Sequence, residues 1–242
     1  MKKIIIDAGH GGTDPGAGGH GIKEKDITLK ISQEVAKRLN ANYEGVQATL
    51  TRSADVTLGL KQRTDLANKQ AADVLVSIHV NAGGGKGGFE SFTYNGVQDA
   101  TTTALQSSIH GEIMAQLKAF NVIDRGKKRA NLHMCRESAM PAVLTECLFI
   151  DVASDAALLK RANVIEAFIK GHVLGIAKHL GLKAKQTQSN TDTKVYVNGK
   201  HVCTGQIIDW TVVAPLRPVC EALGVTITYD KTNNRIDIRK GR

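Results

Sequence analysis

The chain has 242 residues, enough for one large domain and a small one. It is 42% hydrophobic with 4% aromatic residues, so core volume comes from Ile, Leu, Val and Ala, and no apolar run reaches the length of a membrane span. The net charge of +9 is spread along the chain, with 24 basic against 18 acidic residues up to Lys185 and 8 against 5 beyond it. No basic arm interleaved with aromatics stands out, so nucleic acid is not indicated. Charge for solubility or for a polyanionic surface fits equally well.

The first element is a short buried strand over the β-branched run at Ile4 to Ile6. It leads through Asp7 into a glycine-rich turn, GHGGTDPG, that carries His10. A histidine just past a buried strand sits where open α/β sheets bind ligands, although a turn histidine with a purely structural role fits that stretch as well. The positive start, MKK, is interrupted at once by Asp7 and His10, so it is not a secretory signal. The expectation is a cytoplasmic chain, or one that leaves by a route that reads no signal. A helix follows, with Ile27, Ile31, Val35 and Leu39 on one stripe. Glu24 falls on that inward stripe in the first turn, where the helix dipole favours a carboxylate. An inward carboxylate needs a partner, and a metal is a good one. Asp26 lies off the stripe.

VQATLTR reads as the second strand, LGLKQRTDLANKQ as a short helix, and ADVLVSIHVNA as a strand buried on both faces. His79 ends that strand; alone it could be a core histidine bonded to a carbonyl. AGGGKGG is a flexible loop without the ending of a phosphate-binding loop, FESFTYN an alternating strand, and TTTALQSSIHGEIMAQLKAF a helix. DRGKKRANLHMCRES leads into a strand expected around Leu132 to Cys135. MPAVLTECLF is a further buried strand that delivers Glu146 near its carboxyl end. One long helix is expected from about Asp155 to Leu180, ended by Gly181 as a C-cap. Residues 183–193 are polar and aperiodic and read as a linker. Beyond them lie a hairpin with an Asn-Gly turn, VYVNGKHV, a proline-bracketed helix, APLRPVCEALG, and a strand pair, VTITYD and RIDI. The cysteines, Cys135, Cys147, Cys203 and Cys220, form no CxxC pair and read as small buried apolar residues of a chain made in a reducing compartment.

His10, Glu24 and His79 together make two imidazoles and a carboxylate at one sheet edge. That is the ligand set of a catalytic zinc site with a fourth position left for water. Glu146 arrives at the same edge without being needed as a ligand, as a general base would. A nucleotide-binding turn is the competing reading, but Asp14 occupies the last glycine position of GxGxxG and no phosphate-loop lysine is present. A zinc peptidase and a binding protein with a dead site also remain open.

The segments IIIDAGHGGTDPGA, IKEKDITLKI, RTDLAN, ADVLVSIHVNA, DRGKK and MPAVLTE, in this order, resemble the zinc-dependent N-acetylmuramoyl-L-alanine amidases of the amidase-3 family. The resemblance spans about the first 180 residues. It implies an α/β domain, residues 1–182, with a mixed, mostly parallel six-stranded sheet flanked by helices. It also implies Zn2+ on His10, Glu24 and His79, with Glu146 catalytic. The substrate would be peptidoglycan, cut between muramic acid and L-alanine, with anionic wall polymers as further partners and no membrane insertion. One departure is visible: the family usually follows its glutamate with a Gly-Phe pair, where this chain has Cys147, Leu148 and Phe149. The last stretch, 194–242, resembles the small α+β module at the start of copper amine oxidases and is expected to bind wall or to dimerise the chain. A phage endolysin and an enzyme of mother-cell lysis in sporulation both fit a chain made in the cytoplasm that acts on the wall after release.

Overall fold

The structure, a computed structural model, describes residues 1–97, 99–185, 193–208, 211–230 and 235–240. The chain divides into two compact units, Met1–Lys185 and Gln186–Arg242. In chain order the first holds β1 (Lys2–Ala8), a small hairpin of β2 (Gly18–Gly19) and β3 (Ile22–Lys23), α1 (Glu24–Asn42), β4 (Val46–Leu50), α2 (Leu60–Lys69), β5 (Val74–Asn81) and β6 (Phe89–Tyr94). Then come α3 (Ala100–Leu117), β7 (Asp124–Ala130), α4 (His133–Arg136), β8 (Ala142–Phe149), α5 (Ala153–Leu159) and α6 (Ala162–Leu180). The six-stranded sheet has the order β4-β1-β5-β8-β6-β7, parallel throughout except where β6 meets β8.

Strand side chains alternate between two faces. Ile4, Ile6, Val76, Ile78 and Phe89 point to one face and pack with Ile31, Ile109 and Phe168 of α1, α3 and α6. Ile5 and Leu75 point to the other, which α2 and α4 cover with a smaller cluster that includes Ala67 and Met134. The inward stripe of α1 is buried from Glu24 to Leu39. Among the described residues no helix is long and apolar enough to cross a membrane.

Two expected elements differ. Leu132 to Cys135 is not a strand: the strand comes earlier, as β7, and Leu132 caps the short helix α4. The basic run DRGKK makes β7 an edge strand, which charged side chains keep from pairing further. The long helix from Asp155 is broken at Lys160 and Arg161, with Arg161 extended. Asp155 is the reason for the separate first piece: its Oδ2 accepts the amides of Gly88 and Phe149, at 2.8 and 2.9 Å, which pins α5 to the sheet end. Gly181 ends α6 in the left-handed conformation, at φ +60°.

Lys183 to Lys185 pair with the chain at the end of α1, with Glu44 N–H donating to the Lys183 carbonyl at 2.9 Å. The rest of the expected linker, 186–192, lies outside the described residues. The second unit comprises β9 (Thr193–Val197), β10 (Lys200–Ile208), β11 (Thr211–Val213), α7 (Leu216–Ala222), β12 (Val225–Asp230) and β13 (Arg235–Lys240). β11, β10 and β9 form one antiparallel sheet, and β12 pairs with β13. Asn198 and Gly199, both at positive φ, make the two-residue hairpin turn.

The departure after Glu146 has a structural meaning. Register runs His79 to Glu146 and then Asn81 to Phe149, so β8 carries one extra residue there. Leu148 sits at that bulge with φ +73° and is fully buried. Left-handed backbone costs a residue such as leucine about 1–2 kcal/mol, and burying its side chain returns about 1.5–3 kcal/mol. Leu148→Gly and Leu148→Ala should both destabilise the fold. The glycine variant should be the more stable of the two by about 1 kcal/mol in denaturant unfolding. The usual order, alanine above glycine, would show that the position is unstrained.

His172, fully buried on α6, bonds through both ring nitrogens. Its Nδ1–H donates to the Phe168 carbonyl at 2.7 Å, and its Nε2 accepts from the Thr145 hydroxyl at 2.9 Å. Burial lowers its pKa to about 4 from an ordinary 6.5. The unfolded chain therefore binds more protons between these values. Stability is complete above the ordinary value and falls by about 3 kcal/mol as the pH drops to about 4. In His172→Gln that part of the slope of unfolding free energy against pH should vanish, measured by urea titration at each pH. An unchanged slope would assign the acid sensitivity to other groups.

Candidate metal centre and active site

β1 ends at Ala8, and the chain must turn within two residues to present His10. Asp7 is fully buried just before that turn. Its carboxylate accepts from Arg63 Nη1 at 2.9 Å and from the Thr51 and Ser77 hydroxyls at 2.6 Å each. Burial opposes the charge, but Arg63 and the hydroxyls outweigh it and hold the Asp7 carboxyl below its usual range. Arg63 also donates to the carbonyls of Ala8 and His10, at 2.5 and 2.7 Å. Arg52 takes the carbonyls of Ala8 and Gly9, each at 2.9 Å. His10 is held this way in the left-handed region, at φ +60°. The ring of His79 lies so close against Gly9 that a side chain there would strike it.

Glu24 meets both histidines. His10 Nε2 is 3.2 Å and His79 Nδ1 3.0 Å from Glu24 Oε1, which also accepts the Val80 amide at 3.0 Å. Glu24 Oε2 accepts the Ala17 amide at 2.8 Å. A Cβ on Gly16 would lie 2.6 Å from Glu24 Oε2, so the turn can close over the carboxylate only with glycine. The two imidazoles stand edge to face, with ring centres 5.0 Å apart. Burial works against the charge on Glu24, but the bonds from His10 and His79 hold its carboxyl well below the usual range. Its bond to His10 raises that ring to about 9, with Asp14 adding to the effect. Burial opposes a charge on His79, and the Glu24 bond outweighs it.

One donor atom from each of His10, Glu24 and His79 lies within 4.8 Å of the others. A tetrahedral site with bonds of about 2.1 Å has ligand–ligand edges of about 3.4 Å. Two imidazoles and a carboxylate at these separations fit a zinc ion. Asp14 Oδ2, 2.8 Å from His10 Nδ1, orients the ring from behind. Asp26 is exposed, away from the cluster.

Glu146 pairs in register with His79 across β5 and β8, so both project from the same face. Its Oε2 is buried and has no hydrogen-bond partner among the described residues. Burial pushes its carboxyl up to about 7. On the other side it pairs with Glu90 of β6. Glu90 is saturated, accepting from Asn81 at 2.7 Å, Arg125 at 2.7 Å and Lys128 at 2.5 Å. A cavity of about 320 Å³ opens beside His10 and His79, walled by Thr57 to Leu60 and floored by Asp7 and Arg63.

The structure thus brings His10, Glu24 and His79 into one cluster and sets Glu146 beside it. Sequence reasoning missed Arg63, Asp14 and Glu90 as parts of the site. A buried strand aspartate such as Asp7 was the available sign that an arginine elsewhere had to answer it.

The chain matches the N-acetylmuramoyl-L-alanine amidase family over residues 4–178. It is 48% identical over 197 residues to a sporulation-specific N-acetylmuramoyl-L-alanine amidase of Bacillus subtilis, covering 81% of this chain and 74% of that protein. It is 45% identical to an endolysin of Bacillus phage SPP1, over 76% of this chain and 69% of that one. The catalytic domain of the amidase CwlV from Bacillus (Paenibacillus) polymyxa superposes with a TM-score of 0.70 at 34% identity, covering 76% of this chain and all 100% of that one. An amidase of Clostridium difficile 630 gives the same TM-score, 0.70, at 33% identity, over 75% of this chain and 97% of the other. With the family matched across most of its length and the fold shared with solved amidases, the chain belongs to the amidase-3 family of N-acetylmuramoyl-L-alanine amidases.

Proposed function

We propose that this amidase hydrolyses the amide between the lactyl group of N-acetylmuramic acid and L-alanine in peptidoglycan, with His10, Glu24 and His79 holding Zn2+. When bound, the zinc supplies a Lewis acid that polarises the scissile carbonyl and makes water a stronger acid. Glu146 is the general base. The same carboxyl then returns the proton to the leaving nitrogen. Asp14 holds the His10 tautomer, and Arg63 and Arg52 fix the turn beneath it.

In this reading residues 1–182 are the zinc amidase catalytic domain, 183–193 a linker, and 194–242 a module that binds wall or pairs two copies. The resemblance of that module to the copper amine oxidase domain brings no copper chemistry with it. The enzyme meets its substrate once it reaches the wall, as phage endolysins and sporulation amidases do.

A chelator should abolish hydrolysis of purified peptidoglycan, and added zinc should restore it. The products should be new L-alanine amino termini without new reducing sugar ends. Other amino termini would indicate a peptidase, and activity in chelator would remove the metal from the mechanism. Glu146→Gln should bind zinc as the wild type does, by metal analysis, while losing 10²- to 10⁴-fold in kcat, the usual contribution of a general base. A variant of near-normal turnover would show that the base lies elsewhere.

A further inference from the structure

On the face of the sheet that α2 and α4 cover only in part, His79, Glu146 and Glu90 form one row across β5, β8 and β6. The row ends on the edge strand β7, at Arg125 and Lys128. Both cations reach back to one oxygen: Arg125 Nε lies 2.7 Å and Lys128 Nζ 2.5 Å from Glu90 Oε2. Asn81 Nδ2 fills Glu90 Oε1 at 2.7 Å. Glu90 is 4% exposed at its side chain, whereas Arg125 and Lys128 are 29% and 38% exposed. A single buried carboxylate therefore tethers two cations that both stay partly exposed. The Arg125 guanidinium is further fixed by the Gly87 carbonyl at 3.3 Å and by the Phe149 ring, 4.6 Å from its centre. A structural ion pair would need one cation for one carboxylate. A second one, held at the surface in a fixed place, is an anion site before the anion arrives.

We propose that Arg125 and Lys128 are the subsite for a carboxylate of the stem peptide, and that Glu90 is the positioning residue that holds them. The proposal rests on the amidase reading above. Neighbouring strands are about 4.8 Å apart, so β7 lies about 10 Å from Glu146. An extended peptide advances about 3.3–3.6 Å per residue. With the scissile amide at Glu146, the cations stand two to three residues down the stem. Carboxylates occur there as the free α-carboxylate of an isoglutamate in second place or on a diaminopimelate in third.

Two pairs of synthetic muramyl tripeptides test this. One pair varies only the second residue, isoglutamate against isoglutamine, with lysine in third place. The other varies only the third, diaminopimelate against lysine, with isoglutamine in second. The wild-type chain should cleave the carboxylate member of one pair with a kcat/KM about tenfold higher, chiefly through KM, and that pair identifies the source of the carboxylate. The preference should shrink at high salt, because the cations are exposed. Lys128→Gln and Arg125→Gln should each lose most of the preference, through a higher KM for the carboxylate member, and Lys128→Arg should keep it. Wild-type cleavage without preference in either pair would overturn the subsite alone. So would variants that lose activity equally on both members, which would mark a structural role. Failure of the wild type to cut the sugar–alanine amide in any of the four would overturn the amidase reading and the subsite with it.

Discussion

The bond on which the site depends is the buried pair between Asp7 and Arg63. A carboxylate inside a sheet is tolerable only when its lone pairs are filled, and Asp7 fills them with one guanidinium and two hydroxyls. Removing one partner of such a pair costs about 3–5 kcal/mol, because the other charge stays buried. What the pair secures is the shape of the next three residues. Arg63 and Arg52 take the carbonyls of Ala8, Gly9 and His10, where β1 ends and the turn begins. A non-glycine residue at positive φ costs on the order of 1–3 kcal/mol. His10 bears that strain because several charge-assisted bonds over-determine its backbone.

The glutamates Glu24, Glu90 and Glu146 carry the same chemistry in different surroundings. Glu24 faces two imidazoles and two amides, which keep it charged. Glu90 faces two cations and an amide nitrogen, which keep it charged and make it a tether. Glu146, between them in space, has an oxygen with no partner among the described residues, and burial raises its proton affinity. A carboxyl close to neutrality in its titration can both take and return a proton at ordinary pH, which the other two cannot. The division of labour follows from what each strand position faces.

Much of this was legible in the chain. Apolar runs located the parallel strands, and a histidine or glutamate just at the end of such a run has few structural reasons to be there. The stripe from Ile27 to Leu39 put Glu24 inward, and it is buried. What stayed hidden depends on contacts distant in sequence. Arg63 looks like a surface residue of an amphipathic helix until Asp7, 56 positions away, calls for a cation. Glu90 alternates with apolar neighbours as a solvent-facing residue would, yet that face is shared with Glu146 and roofed by the cations of β7. The break at Lys160 leaves no trace in the helical period. It follows from Asp155 being tied to the amides of Gly88 and Phe149, which no local pattern encodes.

The single antiparallel neighbour in the sheet explains the glycine-rich loop. β5 and β6 are separated by β8, and β6 runs opposite to both. The end of β5 and the start of β6 therefore lie at the same sheet edge, and residues 82–88 must pass over the carboxyl end of β8, just beyond Glu146. The loop passes with its amides turned toward Asp151, which accepts from Gly83 and Gly84 at 2.9 and 2.8 Å, and toward Asp155, which accepts from Gly88 at 2.8 Å. Gly83, Gly84, Gly85, Gly87 and Gly88 all have positive φ, a path that side chains would resist. A helical crossover would have covered Glu146, and a parallel β6 would have required one. With β6 and β7 both reversed, a thin loop stands in place of a helix over the end of β8.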